Sequence, residues 1–138
     1  SIVKNKSIVL IDDSLVRGTT CHKIIKMLYE AGAKEVHVKI ACPEIKFPDF
    51  YGVDMPTKKE LLANEKTIEE MCLHIRAKTL KFLTLDGLYK ALGKGERNNA
   101  YPQFSDHYFT GDYPIKPEDS LNELKVTQLS LLSSKSNN

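Results

Sequence analysis

Two adjacent carboxylates, Asp12 and Asp13, lie between a run of four apolar residues and the tetrapeptide Arg17-Gly18-Thr19-Thr20. Carboxylates accept hydrogen bonds from sugar hydroxyls and also coordinate Mg²⁺. A glycine allows a tight turn, and the free N–H groups at the start of a helix bind anions. The stretch from Asp12 to Thr20 therefore predicts a turn that binds a phosphate group, beside a carboxylate pair that binds a polyhydroxylated or metal-bound group.

The elements around this stretch predict an α/β fold with a parallel sheet and flanking helices. Ser7–Ile11 is a β-rich apolar run, typical of a strand that is covered on both faces. Thr19–Ala31 has apolar residues at helical spacing, and Lys34–Cys42 alternates apolar and polar side chains as a strand does. In such a βαβ unit, ligands bind at the carboxyl ends of the strands, which is where the two carboxylates fall.

The remainder of the chain predicts short elements and loops. The segment PEIKFPDFYGVDMPT has three prolines and one glycine, so it predicts a long irregular loop. TKKELLANE and TIEEMCLHIRA predict two short helices, the second with a capping box of Thr67 and Glu70. TLKFLTL predicts a last strand and DGLYKALG a last helix. We therefore predict one domain over residues 1–93 and a polar extension over 94–138, with a weak helix and a disordered end.

The composition excludes several classes of function. The net charge is only +2 over 138 residues, with acidic and basic residues interspersed, which argues against a nucleic-acid or membrane-surface protein. No apolar run approaches the roughly 18 residues of a membrane span. Cys21, Cys42 and Cys72 are odd in number and lack the spacing of a zinc site. A reducing, cytoplasmic location is therefore expected.

Three other interpretations of the carboxylate pair stay open on the residues alone. The pair can belong to an ordinary capped joint between a strand and a helix. It also resembles the acidic pocket of a two-component receiver domain with Asp54 as phosphoacceptor, although Pro48 and Gly52 argue against a buried strand before Asp54. The third interpretation is a non-catalytic module that binds a phosphosugar or a nucleotide. A P-loop NTPase is excluded, because the chain has no G-x-x-x-x-G-K-[ST] motif.

The string VLIDDSLVRGTT resembles the phosphoribosyl pyrophosphate (PRPP) motif of type I phosphoribosyltransferases. LYEAGAKEVHVKIACPEIKFPDFYGVDMPTKKELLA and FTGDYP resemble one family among them, the amidophosphoribosyltransferases, and the likeness extends from about Ser7 to about Pro114. The resemblance implies a partial type I phosphoribosyltransferase domain of Rossmann-like fold. It also implies a part in making phosphoribosylamine from PRPP and glutamine, the first committed step of de novo purine synthesis.

The same resemblance implies roles for the residues of the opening stretch. Asp12 and Asp13 are expected to bind the ribose hydroxyls of PRPP and its Mg²⁺. The 5′-phosphate is expected to lie within a turn formed by Ser14, Val16, Arg17, Gly18, Thr19 and Thr20. No residue of this chain is expected to be catalytic in itself, because the displacement of pyrophosphate depends mostly on positioning, metal and exclusion of water.

Two departures from the family's pattern carry further expectations. The glutaminase domain and the upstream part of the transferase domain have no counterpart here, so we expect a fragment that is inactive alone and that self-associates or binds the missing N-terminal part. One branch of the family carries an iron–sulfur cluster, with a cysteine before FYG and others near FTG. This chain has Asp49, Ser105 and Tyr108 there, so no cluster is expected.

The remaining side chains of chemical interest predict structural roles. The four histidines are scattered singly and are expected at the surface or partly buried. Phe47, Phe50 and Tyr51 are expected to pack the proline loop. The cysteines are expected to be small buried apolar residues, although Cys21 at a helix start is a candidate for a lowered thiol pKa.

Overall fold

The computed structural model describes residues 2–52 and 57–115. Asp54 of the receiver alternative and the weak helix predicted toward residue 138 lie outside these residues. In chain order the elements are β1 (Ser7–Asp12), α1 (Thr19–Glu30), β2 (Glu35–Ile40), a 3₁₀ helix (Lys58–Glu60), α2 (Leu62–Glu65), α3 (Ile68–His74), β3 (Thr79–Phe82), α4 (Leu85–Ala91) and α5 (His107–Thr110).

The three strands form one parallel sheet in the order β1-β2-β3. Ser7 pairs with Glu35 and Asp12 with Ile40, and Ile40 pairs in turn with Phe82 of β3. Parallel neighbours need a long crossover, and α1 supplies the one between β1 and β2. The predicted α/β class with a parallel sheet and helices is confirmed.

The hydrophobic core lies on one face of this sheet, between β2 and the helices α1 and α3. Val36 and Val38 of β2 and Ile25 of α1 are completely buried there. Each such side chain contributes about 1.5–3 kcal/mol to folding by its removal from water. The other buried members of the core are Leu15, Cys21, Ala33, Ile40, Leu62, Ala63, Met71, Ile75 and Leu80.

The opposite face of β1 is open in the described part of the chain. Val9 and Ile11 are 60% and 72% exposed, so the prediction of a strand covered on both faces was wrong for this structure. The reason is that no described element packs on this face, since His37 and Lys39 of β2, which pair with Val9 and Ile11, are half-buried and exposed there as well. The apolar run predicted the strand correctly, but not how many of its faces are covered.

The helix predicted over TKKELLANE is divided into the 3₁₀ helix and α2. Leu61 separates them with an extended backbone, φ −76° and ψ 112°, and its side chain is completely buried. The capping box predicted for Thr67 and Glu70 is confirmed, since Thr67 N–H donates to Glu70 Oε2 at 2.8 Å and Glu70 N–H to Thr67 Oγ1 at 3.2 Å. Thr57 and Glu60 form a second capping box that the sequence reasoning missed.

The proline loop packs against the segment that follows α4. The N–H groups of Lys46 and Phe47 donate to the carbonyl of Tyr108, at 2.9 and 3.1 Å, and Tyr113 Oη donates to the carbonyl of Pro48 at 2.8 Å. The one-turn helix α5 in this segment was not predicted, because four residues are too few to show a periodicity. The domain division after residue 93 stays a prediction.

Candidate phosphate-binding site

The site begins where β1 ends. Asp12 is the last residue of the strand, and the N–H of Asp13 donates to Asp12 Oδ1 at 3.0 Å. Ser14 Oγ donates to Asp13 Oδ1 at 3.1 Å, so each of the two carboxylates accepts one hydrogen bond from the residue that follows it. Asp13 is exposed and Asp12 half-buried, and both therefore remain accessible to a ligand.

Gly18 closes the turn in a conformation that favours glycine. Its φ of +75° lies in the left-handed region, and a Cβ built on it would lie 3.0 Å from Leu62 Cδ2 and 3.3 Å from Ile75 Cγ2. The backbone of the turn thus rests directly on α2 and on the residue that ends α3. Any side chain at position 18 would be strained and would also push the turn away from these residues.

Among the described residues, no side chain caps the start of α1 at Gly18, and the first turn of the helix has no acidic residue. By contrast, the Thr67 hydroxyl caps α3, and the Thr84 hydroxyl accepts from the N–H of Gly87 in α4 at 3.0 Å. The first N–H groups of α1 and the positive end of its dipole are left for an external anion.

A cavity of 310 Å³ lies within the turn. Its walls contain all eight residues that the sequence predicted for the site, namely Asp12, Asp13, Ser14, Val16, Arg17, Gly18, Thr19 and Thr20. Leu15 and Cys21 also line it, although the prediction did not include them, and their side chains belong to the hydrophobic core. Chain connectivity alone brings these ten residues together, which is why a linear motif predicted them.

A second segment of the chain supports the turn, and the sequence reasoning missed it. Arg17 Nη2 lies 3.0 Å from Glu60 Oε1. The N–H of Leu62 donates to the carbonyl of Val16 at 2.9 Å. Hydrogen bonds from Thr57 and then Arg17 hold the pKa of Glu60 below its ordinary value. A pairing across 43 residues leaves no signal in the sequence.

The cysteine thiols near the site are not activated. Burial, followed by the charge of Asp12, raises the pKa of Cys21 to about 11. Burial and then Asp13 likewise raise the pKa of Cys42 to about 11. The suggestion that the helix start lowers the pKa of Cys21 is therefore wrong. Loss of hydration and a neighbouring carboxylate disfavour the thiolate more than the helix favours it.

A separate cavity of 330 Å³ lies between the proline loop and α5. Asp49, Ser105 and Tyr108 all line it. His107 Nε2 lies 2.8 Å from Asp49 Oδ1, and both side chains are buried, so the expectation of surface or partly buried histidines is wrong for His107, whose partner Asp49 is distant in sequence. The ring of Tyr51 lies edge-on to that of His107, with 5.2 Å between the ring centroids, which is a packing contact of the kind expected of Tyr51.

The described residues contain no group of three His, Cys, Asp or Glu side chains arranged to hold a metal ion. They also contain no helix of the length and apolar character that crossing a membrane requires.

The chain was compared with curated proteins. No protein-family profile matches it. The amidophosphoribosyltransferase of Rhizobium etli is 51% identical over 135 residues, which are 97% of this chain and 27% of that protein. Amidophosphoribosyltransferase 1, chloroplastic, of Arabidopsis thaliana is 46% identical over 118 residues, which are 86% of this chain and 20% of that protein.

Solved structures agree with these relatives. Glutamine phosphoribosylpyrophosphate amidotransferase from B. subtilis, complexed with ADP and GMP, has a TM-score of 0.75 and 45% identity over 83% of this chain and 25% of its own. The chain spans about a quarter of the length of the proteins it matches. By sequence and by fold, this chain belongs to the amidophosphoribosyltransferase family.

Proposed function

We propose that the stretch from Asp12 to Thr20 binds the ribose 5-phosphate part of PRPP. The chain thereby contributes the PRPP site of an enzyme that makes phosphoribosylamine from PRPP and glutamine, the first committed step of purine synthesis. One observation carries this proposal. Every residue of the predicted site lines one cavity, at the carboxyl end of a strand and the uncapped start of a helix.

The turn supplies the contacts for the 5′-phosphate. The N–H groups of Gly18, Thr19 and Thr20 and the hydroxyls of both threonines are donors for a dianion. Arg17 adds a positively charged guanidinium suited to a phosphate. Hydrogen bonds to a charged partner are stronger than neutral ones, so several donors on one phosphate account for most of the binding.

The carboxylates supply the contacts for the sugar. Asp12 and Asp13 are accessible acceptors suited to the ribose diol, and their oxygens also suit Mg²⁺. The chemistry that Mg²⁺ supplies when bound is neutralisation of charge on the departing pyrophosphate. A carboxylate pair is too few ligands for a metal site built only from protein, so oxygens of the substrate are needed to complete the coordination.

Nucleotides are a second class of ligand for the same turn. A nucleoside 5′-monophosphate carries the same ribose 5-phosphate, and the B. subtilis relative was solved with ADP and GMP bound. We therefore propose that purine nucleotides compete with PRPP at the Asp12–Thr20 stretch.

Membership of the amidophosphoribosyltransferase family rules out the receiver alternative, whose Asp54 lies outside the described residues.

The remainder of the family's longer chain provides a partner for the open face of β1. Val9 and Ile11 expose apolar surface there that a complete enzyme would cover. We expect the 138 residues by themselves to self-associate and to bind PRPP without appreciable synthesis. Light scattering at increasing concentration and release of pyrophosphate from PRPP measure the two expectations.

The experiment that tests the site is calorimetric titration of PRPP with Mg²⁺ into the chain and into an Asp12→Asn, Asp13→Asn double variant. We expect saturable binding by the wild type and a loss of at least about tenfold in the double variant, because the diol and the metal lose their charged partners. Ribose 5-phosphate and GMP are expected to displace PRPP, since both occupy the same turn.

Asp86→Asn is the matched control, because Asp86 is an exposed acid in the first turn of a different helix. Equal binding of PRPP by the wild type and the double variant would contradict the assignment of the carboxylates. An absence of binding by the folded wild type would contradict the proposed function as a whole.

A further inference from the structure

We infer that Glu60 is a positioning residue of the phosphate site, because it holds the guanidinium of Arg17 at the edge of the turn. This inference rests on the proposed function of the turn and adds a residue 40 positions beyond Thr20, outside the PRPP motif. Its basis is a continuous set of contacts from the 3₁₀ helix to the turn.

Glu60 is held in place by contacts with Thr57, independently of its contact with Arg17. Its Oε2 accepts from the N–H of Thr57 at 3.0 Å and from Thr57 Oγ1 at 2.9 Å. Both bonds use one oxygen of the carboxylate and fix the plane of the group. The second oxygen, Oε1, accepts a hydrogen bond from Arg17 Nη2 at 3.0 Å.

Arg17 keeps most of its donors while it is paired. The guanidinium is planar and carries five N–H groups in a fixed fork, so a bond to Nη2 orients the others as well. Arg17 still lines the cavity of the turn in this arrangement. Holding a long side chain in one rotamer before the ligand arrives reduces the entropy that binding would otherwise remove.

The segment that carries Glu60 also supports the backbone of the turn. Leu62, two residues beyond Glu60, donates its N–H to the carbonyl of Val16 at 2.9 Å. Its Cδ2 atom would lie 3.0 Å from a Cβ built on Gly18. The 3₁₀ helix, α2 and the turn are therefore joined by side-chain and main-chain contacts at once. Glu60 orients Arg17 relative to the same backbone that presents the N–H donors.

Titration of ribose 5-phosphate into wild type and Glu60→Gln tests the inference. The variant keeps the size of the side chain but loses the charge that holds Arg17, and we expect the dissociation constant to rise about fivefold. Electrostatics alone predicts the opposite sign, because removing a carboxylate near a dianion favours binding. Weaker binding of ribose 5-phosphate by Glu60→Gln would therefore not be explained by the change in charge alone.

Glu30→Gln is the matched control, because Glu30 forms an exposed ion pair with Lys26 at the far end of α1. In an Arg17→Gln background, Glu60→Gln is expected to have no further effect. The NMR signal of the Arg17 Nε–H is expected to shift on addition of ribose 5-phosphate in the wild type and much less in Glu60→Gln, a readout that a change of fold stability does not mimic.

Unchanged or tighter binding by Glu60→Gln would overturn the inference, since Glu60 would then be neutral toward the ligand or compete with it. An additive effect in the Arg17→Gln background would also overturn it. If the folded wild type binds no ribose 5-phosphate, the proposed function fails together with the inference. Binding by the wild type that Glu60→Gln does not weaken refutes the inference alone.

Discussion

At the start of α1, the carboxylates of Asp12 and Asp13 are accessible and the helix has no side-chain cap among the described residues. Next to α5, the carboxylate of Asp106 is 4% exposed and accepts hydrogen bonds from Arg97 at 2.6 and 3.1 Å, Tyr89 at 2.8 Å and Thr110 at 3.1 Å. We name these groups the Asp106 cluster, together with Asp112, which also contacts Arg97 at 2.7 Å.

The comparison separates polar residues that hold the fold from polar residues that we propose bind a ligand. A buried ion is tolerated only when its partners replace the water it has lost, and the Asp106 cluster meets this condition internally. Its hydrogen bonds raise the pKa of Arg97, and burial and Asp106 raise the pKa of Tyr89. The polar side chains of the turn are instead exposed or half-buried, as the proposed binding of a ligand requires.

Asp106→Asn has the largest effect that this comparison predicts. The variant leaves Arg97, whose side chain is 10% exposed, without its main buried counter-charge. We expect the free energy of unfolding to fall by about 3 kcal/mol, measured by urea denaturation. Glu30→Gln, which breaks an exposed pair, is the control and is expected to cost at most about 0.5 kcal/mol. A similar loss in both variants would remove the distinction between the two regions.

The Asp106 cluster also predicts that the free energy of unfolding depends on pH. Burial by itself raises the pKa of Asp106, but the hydrogen bonds from Arg97, Tyr89 and Thr110 outweigh it and hold the pKa below its ordinary value. A depressed carboxyl pKa contributes stability that is present above the unfolded pKa of about 3.9 and is lost as the pH falls through the folded pKa. We expect the stability difference between wild type and Asp106→Asn to be constant at neutral pH and to narrow below about pH 4. A difference that stays constant down to acidic pH would contradict the assignment.

Gly18→Ala is expected to have the next largest effect. The substitution places a side chain in the left-handed region and brings its Cβ against Leu62 and Ile75. We expect a loss of about 2 kcal/mol in the free energy of unfolding, together with loss of ribose 5-phosphate binding. Gly93→Ala is the control, because Gly93 has the same φ of +75° but no atom of the described residues within 4 Å of its Cβ position. Equal losses in the two variants would mean that the contact beneath the turn contributes nothing.

The smallest expected effects are those of two threonine substitutions at helix starts, which we expect to differ in whether stability or ligand binding changes. Thr67→Ala removes the cap of α3 and is expected to cost about 1 kcal/mol of stability without a change in ligand binding. Thr19→Ala, in the turn, is expected to change stability by less than about 0.5 kcal/mol and to weaken ribose 5-phosphate binding about tenfold. Thermal unfolding and calorimetry measure the two quantities. If the variants exchanged these effects, the start of α1 would be a structural cap and not a ligand site.

Much of the site was predictable because it is local. A strand, a glycine turn and a helix start lie within fourteen residues, from Ser7 to Thr20, so a contiguous motif was enough to predict which residues line the cavity. The capping box of Thr67 and Glu70 was predictable for the same reason. Hydrophobic periodicity likewise determined β1, α1 and β2, because each element shows its own period in sequence.

Only the tertiary structure decided the features that depend on distant parts of the chain. Sequence separation hides which residue meets Arg17, and Glu60 reaches it because the 3₁₀ helix folds back under the turn. Val9 and Ile11 are exposed because no layer of the described residues covers that face of the sheet, and an apolar residue gives the same sequence pattern whether or not another layer covers it. The Asp106 cluster arose from the folding of a polar segment onto α4, where mutual pairing of charges makes burial favourable in a stretch that composition alone predicts to be exposed.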